Sequence, residues 1–424
     1  MKEIRKEIKK GITVHVIETD QFKTNLLSIF LTTPLTRENV TSNALIPAVL
    51  MQGSENIKTA EKISKELEKM YGASFDGGVE KAGDNQVLKF YLESLNDEFV
   101  PEKSELIEKS INLLWEIVFH PLTENNSFKD EYVKVEKEKL QQRIEGKIDN
   151  KASFALIRCI EEMYKNKPFG LYKYGYIEDL NNINSRNLYE RYLNLIQNSK
   201  IDIFISGKLS ENMIKNIEKK VEELNEREPK FILTDSKRKI ENLNPKLIKE
   251  KMEISQAKLV MGLDVNVENQ EEKYVALVYN GILGGIPTSK LFQNVRERES
   301  LAYTASSSYL RQKDNIFIKC GIEAKNFEKA KEIIEKQLED MKNGEFTQED
   351  IKSAKRNIIS AIKCIPDEQD MGITYYFGQE LSLIKMNFDN YVEKIENVTK
   401  DEIQNLAQRV FVNTIYLLEG GKEA

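Results

Sequence analysis

Histidine is nearly absent from this chain: His15 and His120 are the two in 424 residues. They stand far apart, and neither has a second histidine three to five positions away, which excludes a metal site built from two histidines on one helix. Cysteine is scarce as well. Cys159, Cys320 and Cys364 are widely spaced and form no CxxC pair, which argues against a disulfide framework or a thiolate zinc site and reads as small hydrophobes in a reducing compartment. The one tryptophan, Trp115, lies on an apolar helical stripe and reads as core. No apolar run reaches the length of a membrane span, and the charged start MKEIRKEIKKGITVHVIETD has no signal-peptide core, so the expected location is the cytoplasm. Nor does one charge dominate. The 63 basic and 69 acidic residues are interleaved along helical segments, a solvated-surface pattern that argues against a nucleic-acid groove or a polybasic membrane patch.

What the chain does have is length and an internal echo. Its 424 residues, 40% hydrophobic, suit two domains of about 200 residues each. DNQVLKFYLES at 84–94 aligns with DNIFIKCGIEA at 314–324, with Asp, Asn, Lys and Glu coincident and both copies alternating like a half-buried strand. Each copy follows a charged amphipathic helix, EKISKELEKMYGASFD or LFQNVRERESLAYTAS, and precedes another, KSELIEKSINLLWEI or NFEKAKEIIEKQLEDM. Such an offset repeat points to duplication. Strand-like text opens each half (ITVHVIET, NLLSIFLTT, AKLVMGLDV) and long helices follow. The expected class is therefore α+β: two related domains, each a mainly antiparallel sheet with helices on one face. The polar segment at 225–245 is the expected joint, giving domains 1–225 and 246–424. His15 alternates within ITVHVIET and reads as one face of an edge strand; His120, in VFHPL, reads as a helix exit.

The densest local signal is GILGGIPTSKLFQNVRERESLAY at 281–303, in which Arg296 precedes Tyr303 by seven positions after Gly284 and Gly285. Paired glycines suit a turn that a Cβ would obstruct. A guanidinium fork suits a carbonyl, and a phenolic O–H suits developing negative charge. Spacing alone is equally compatible with Arg296 as one more solvated charge beside Glu297, Arg298 and Glu299, and with Tyr303 as sheet core. Arg298, five residues before the tyrosine, is the competing arginine. No Ser-His or Cys-His arrangement offers another nucleophile.

With its Gly-Gly, Ser-x-Leu-Phe, Arg and Leu-Ala-Tyr, this stretch resembles the substrate-holding segment of pitrilysin/insulinase-type peptidases. The likeness extends more weakly along the rest of the chain, including KNKPFGLYKYGYIEDLNNI at 165–183. Active members carry HFLEHMLFKGT or something close, and this chain has ALIPAVLMQGS at 44–54. Anchored on Leu50, Gly53 and Ser54, Ala44 and Ala48 fall where the zinc histidines would be, and Pro47 where the catalytic glutamate would be. The third ligand position falls at Gln142 or Arg143, with Glu145 nearby as a lone carboxylate. The resemblance therefore implies a chain with no catalytic residue and no metal of its own. It implies a half clamshell that pairs with a homologous zinc-bearing chain and offers Arg296 to a peptide carbonyl and Tyr303 to an oxyanion beside Gly284 and Gly285. Within the family the likeness is to inactive members associated with the 5-aminopentanol modification of elongation factor P. The other role the family offers is a purely structural assembly protein, which would not need Arg296 or Tyr303.

Overall fold

In the computed structural model, residues 2–101, 104–208, 211–230, 244–299 and 302–421 are described. They form two compact units that do not follow the chain in one pass: Met1–Gly146 with Leu171–Thr234 and Ile365–Leu383, and Lys147–Gly170 with Asp235–Cys364 and Ile384–Ala424. Most of the expected joint, 231–243, lies outside the described residues.

The first unit is built on β1 (Lys2–Lys9), β2 (Ile12–Glu18), β3 (Thr24–Pro34), β4 (Ser74–Ala82), β5 (Asn85–Leu95) and, after the two-residue strands β6 (Thr123–Glu124) and β7 (Ser127–Phe128), β8 (Lys200–Gly207). Its strand order is β1-β2-β8-β3-β5-β4. The second unit uses β9 (Lys246–Met252), β10 (Ala257–Val265), β11 (Ala302–Leu310), β12 (Asn315–Ile322) and β13 (Val410–Gly420), in the order β11-β12-β10-β13-β9. From the β4 edge inward, one sheet reproduces the other strand for strand. Each has a single parallel pair at the same place, β2 with β8 and β9 with β13. The strands that carry the sequence echo, β5 and β12, occupy equivalent positions, and both bury the shared asparagine, Asn85 and Asn315.

The α+β reading with mainly antiparallel sheets stands, and the main helices cover one face of each sheet. The opposite faces are covered too, each by a helix drawn from the other half of the chain. In the first unit the helix Gln369–Ser382 lays Ile373, Phe377 and Leu381 over Ile17, Phe30 and Phe204. In the second, the helix Lys151–Met163 lays Phe154, Cys159 and Met163 over Val260, Phe317 and Tyr416. Central strands are consequently buried on both faces: every residue of β8 is buried, and nine in succession along β3. Cys159 and Cys320 are core residues whose burial pushes their thiols up to about 12, whereas Cys364 is exposed. Trp115 sits in the core and His120 at a helix exit, as expected.

His15 departs from its reading. Its strand, β2, is internal, because β1 shields it from the edge, and the ring is completely buried, stacked on Phe204 at 4.1 Å. Nδ1 meets Glu3 at 2.6 Å and Nε2 meets Asp202 at 3.0 Å, so both nitrogens face carboxylates and the protonated ring satisfies both. Lys200 bridges Asp202 and Glu380, and Arg5 donates to both oxygens of Glu380. Three cations thus neutralise three carboxylates, clasping the helix 369–382 to β1, β2 and β8.

Burial opposes charge on His15, but hydrogen bonds from Asp202 and Glu3 win and raise its pKa. Burial likewise opposes charge on Asp202 and Glu380, and the neighbouring cations hold both below the usual range. The carboxylate contributions are complete above the ordinary values of 3.8 and 4.5 and fade as pH falls through the depressed ones. The histidine contribution is complete below 6.5 and fades as pH climbs through the raised value. Thermal melting across pH should therefore show a plateau between about 4.5 and about 6.5, and His15→Gln should flatten the alkaline limb. Lys200→Met, which leaves two cations facing three carboxylates and so one buried negative charge uncompensated, should cost about 3–5 kcal/mol in denaturant titration.

Candidate functional site

The segment expected to correspond to the zinc motif forms the helix Val40–Leu50, in which Ala44 and Pro47 are buried and Ala48 is half-buried. Methyl groups and a pyrrolidine ring offer no lone pair to a cation, and Pro47 lacks the N–H that would continue the helix ladder. The helix Asp130–Glu145 packs against it. Arg143 there is exposed, its guanidinium 5.2 Å from the centre of the Tyr174 ring, and a guanidinium repels a metal ion. Gln142 is exposed, and so is Glu145, which accepts from Gln141 at 2.8 Å.

Two features of this region were missed in the sequence. Glu136 is a buried carboxylate on the 130–145 helix, already taken by Gln52 at 2.9 Å and Lys139 at 2.6 Å. Beside Ala44, Asn43 donates to Gln86 at 2.8 Å and accepts from Arg191 at 2.8 Å. Gln86 in turn donates to the carbonyls of Val40 and Lys173. Arg191 has no carboxylate, and burial alone pushes its guanidinium down to about 10. The neighbouring corner needs glycine: Gly175 has φ +76, and a Cβ there would lie 1.9 Å from Thr41 Oγ1. Thr41, in turn, donates to Asp179 at 2.5 Å. These links fix the helix by hydrogen bonds within the protein.

Among the described residues one grouping of three metal-type ligands comes within 4.8 Å, His15 with Asp202 and Glu380. Lys200 and Arg5 already fill the cationic places between those carboxylates, so the group is an ion-pair cluster. A cavity of about 590 Å³ in the same unit is lined by Tyr91 and the carboxylates of Asp76, Glu93, Asp367, Glu368 and Asp370. None of Ala44, Pro47, Ala48 or Arg143 borders it.

The second unit is different. The helix Glu272–Asn280 widens into a π-helical turn at Gly281–Gly285, and a second π-helical stretch runs from Phe292 to Arg298. Such turns are rare and concentrate at functional sites. A Cβ on Gly284 would lie 2.7 Å from the backbone nitrogen of Ser307 in β11, and one on Gly285 would lie 2.8 Å from the Asn280 amide. Glycine here lets the helix end rest directly on the edge strand. Arg296 is exposed, with its guanidinium 4.6 Å from the centre of the Phe292 ring, while Arg298 bonds Asn294 at 2.9 Å. Ser300 and Leu301 lie outside the described residues.

Tyr303 is 78% exposed and is not core. The pairing of β11 with β12 passes from Ala302–Ile322 to Thr304–Gly321, so Tyr303 is the extra residue of a β-bulge and both it and Thr304 are exposed. Bulges of this kind re-aim side chains at sheet edges. Among the described residues neither Arg296 nor Tyr303 has a hydrogen bond or an ion pair. Of the four strands that edge the two sheets, β1 (KEIRKEIK), β4 (SFDGGVEKA) and β9 (KLIKEKM) carry charges, and β11 (AYTASSSYL) carries none. Charged edges resist strand addition, and β11 lacks that protection.

A family profile described as the inactive domain of M16 peptidases matches residues 182–358. A probable inactive metalloprotease, YmfF of Bacillus subtilis (strain 168), is 34% identical over 415 residues, covering 98% of this chain and 97% of its own. The chain belongs to the M16 peptidase family. As an M16 chain it is an inactive metallopeptidase homologue, not catalytic by itself. A conserved protein from Enterococcus faecalis V583 has the same fold at a TM-score of 0.91 and 26% identity, with 100% of this chain and 99% of that one covered. The M16 inactive domain from Pseudomonas fluorescens follows at 0.79 and 17%, with the same coverage.

Elemental analysis of the purified M16 chain should find well under one zinc per chain after brief dialysis. Gly284→Ala should lower stability by about 1–3 kcal/mol through collision with the β11 backbone. Gly378→Ala, in a helix with nothing within 4 Å of the new methyl, should raise it by up to about 1 kcal/mol. Chemical denaturation of both variants measures the contrast.

Proposed function

We propose that this chain is the substrate-binding, non-catalytic subunit of a two-chain zinc peptidase whose metal lies on a homologous partner. The observation that carries the reading is Tyr303: a large phenol, 78% exposed and without a hydrogen bond or ion pair among the described residues, held at a bulge of β11, the uncharged one of the four strands that edge the two larger sheets. Burying that ring in the sheet would be the ordinary outcome for a tyrosine in a strand, so its exposure calls for something that covers it.

In this reading an extended peptide adds to the open edge of β11, where main-chain hydrogen bonds hold it without demanding a particular sequence. Arg296, kept extended over Phe292, donates to a peptide carbonyl. Tyr303 O–H donates to the oxygen that gains negative charge as the scissile carbonyl is attacked. Gly284 and Gly285 bring the helix end close enough to β11 for the two side chains to act together. The zinc of the partner supplies the attacking water. The sequence halves 1–225 and 246–424 are the proposed duplicated domains. Cytoplasmic location and a link to the 5-aminopentanol modification of elongation factor P are further parts of this proposal, resting on the resemblance. Among the described residues no helix is long and apolar enough to cross a membrane.

In a complex reconstituted with a zinc-bearing M16 chain, Tyr303→Phe should lower kcat by ~10²–10³-fold while assembly is kept, because one oxyanion donor is lost. Arg296→Ala should act mainly on KM, since a carbonyl clamp serves ground and transition states alike. Steady-state kinetics on both variants decide the matter: unchanged kcat and KM in both would leave the structural-assembly reading in its place.

A further inference from the structure

The face of the second sheet that receives the helix 151–163 is only partly covered by it. Toward β11 the pairing registers place a different set of side chains on that same face. Thr304 lies opposite Gly321 and Ser306 opposite Lys319 on the neighbouring β12. One strand further in, Lys258 of β10 lies opposite Gly321 and Val260 opposite Lys319. Side chains directly opposite in a sheet share a face, so Thr304, Ser306, Lys319 and Lys258 form one strip, with the lysines as diagonal neighbours about 7 Å apart. Val260 marks where the covering helix begins. The strip beyond it is open: Thr304, Ser306 and Ser308 are exposed, and Lys258 and Lys319 are half-buried.

This strip is cationic without a counter-ion. Neither lysine has a carboxylate partner among the described residues. Lys258 Nζ donates to the neutral Gln256 side chain at 2.6 Å, and burial, with no acid to offset it, lowers its pKa. Glu323 is the acid that continues the face of Lys319 along β12, and it is bound to Lys325 at 2.7 Å. Hydroxyls and two half-desolvated ammonium groups beside an open strand edge are complementary to a carboxylate that arrives on an added strand, because alternate side chains of such a strand project onto this face.

We propose that Lys258, Lys319 and Ser306 form a subsite for an acidic side chain of an extended peptide. The inference rests on the reading of β11 as a peptide-binding edge and adds to it a substrate class: segments with Asp or Glu a few residues from the point held by Arg296 and Tyr303. The carboxylate supplies the missing counter-charge to both lysines, and the Ser306 hydroxyl donates to its free oxygen.

Fluorescence anisotropy on the full chain tests this. The probes are short fluorescein-labelled peptides of alternating threonine and valine in which one Glu visits each interior position, with Gln and Lys twins of each. The best Glu peptide should bind about tenfold more tightly than its Gln twin, the scale of one charge-assisted contact at a partly exposed site, and the advantage should shrink with added salt. Lys319→Gln and Lys258→Gln should each reduce that ratio, and Lys319→Glu should turn the preference toward the Lys twin. Thermal melting checks that each variant is folded. Equal binding of Glu and Gln twins would overturn the acidic subsite while leaving the peptide-binding reading in place. A Glu preference that persists in the double Lys258→Gln, Lys319→Gln variant would also overturn it, since the carboxylate would then be held elsewhere. Binding of no peptide at all would overturn both.

Discussion

Two-sided burial of each sheet is the constraint from which the rest of the architecture follows. Strands such as β3 and β8 are apolar on both faces, and a backbone with both faces dry needs cover on each. The main helical layer supplies one side. For the other, the chain runs out of its own half and contributes 369–382 to the first sheet and 147–170 to the second, where Gly262 leaves room for Met163 and Cys159. Each covering helix is then fastened by ions as well as by packing: Glu380 by Arg5 and Lys200, and Arg158 by Glu250, which also accepts from Tyr416 at 2.7 Å.

The positions expected for the metal motif are not a hole. Pro47 and Ala44 are packed, Arg143 lies over an aromatic ring, and Asn43, Gln86 and Arg191 tie the helix to its neighbours through contacts that need no metal ion. Restoring two histidines and a glutamate would have to displace that arrangement as well as supply ligands. The second unit kept the opposite character. Arg296 and Tyr303 are held out, without a hydrogen bond or ion pair among the described residues, on π-helical and bulged backbone that ordinary helix and strand geometry would not produce.

Much of the fold was legible in the sequence because it is local. The alternation in β2, β5 and β12, the strand-like text of β3 and β10, and the helices at 106–119 and 327–342 announce themselves within a dozen residues. The match of 84–94 to 314–324 announced the duplicated topology. What stayed hidden depends on distant partners. Ile373, Phe377 and Leu381 advertise an apolar stripe but not which sheet receives it. His15 finds Asp202 187 residues away, and nothing in ITVHVIET says that another strand shields it. At the site, the lack of metal-ligating side chains at 44, 47, 48 and 143 is plain from the residue types alone, whereas the exposure of Tyr303 depends on a one-residue bulge that strand periodicity cannot reveal. That Lys258 and Lys319 share a face with no carboxylate partner among the described residues appears only once three strands are in register.

The uncharged edge has a second consequence. A strand that admits a guest peptide also admits an identical strand from another molecule, and AYTASSSYL carries neither lysine nor proline to prevent it. The other three edges bear that protection, so self-association of the free chain should begin at this one. The nine residues proposed to receive a peptide also set how concentrated the chain can be kept without a companion, and occupancy of that edge becomes a condition of the chain's own colloidal life.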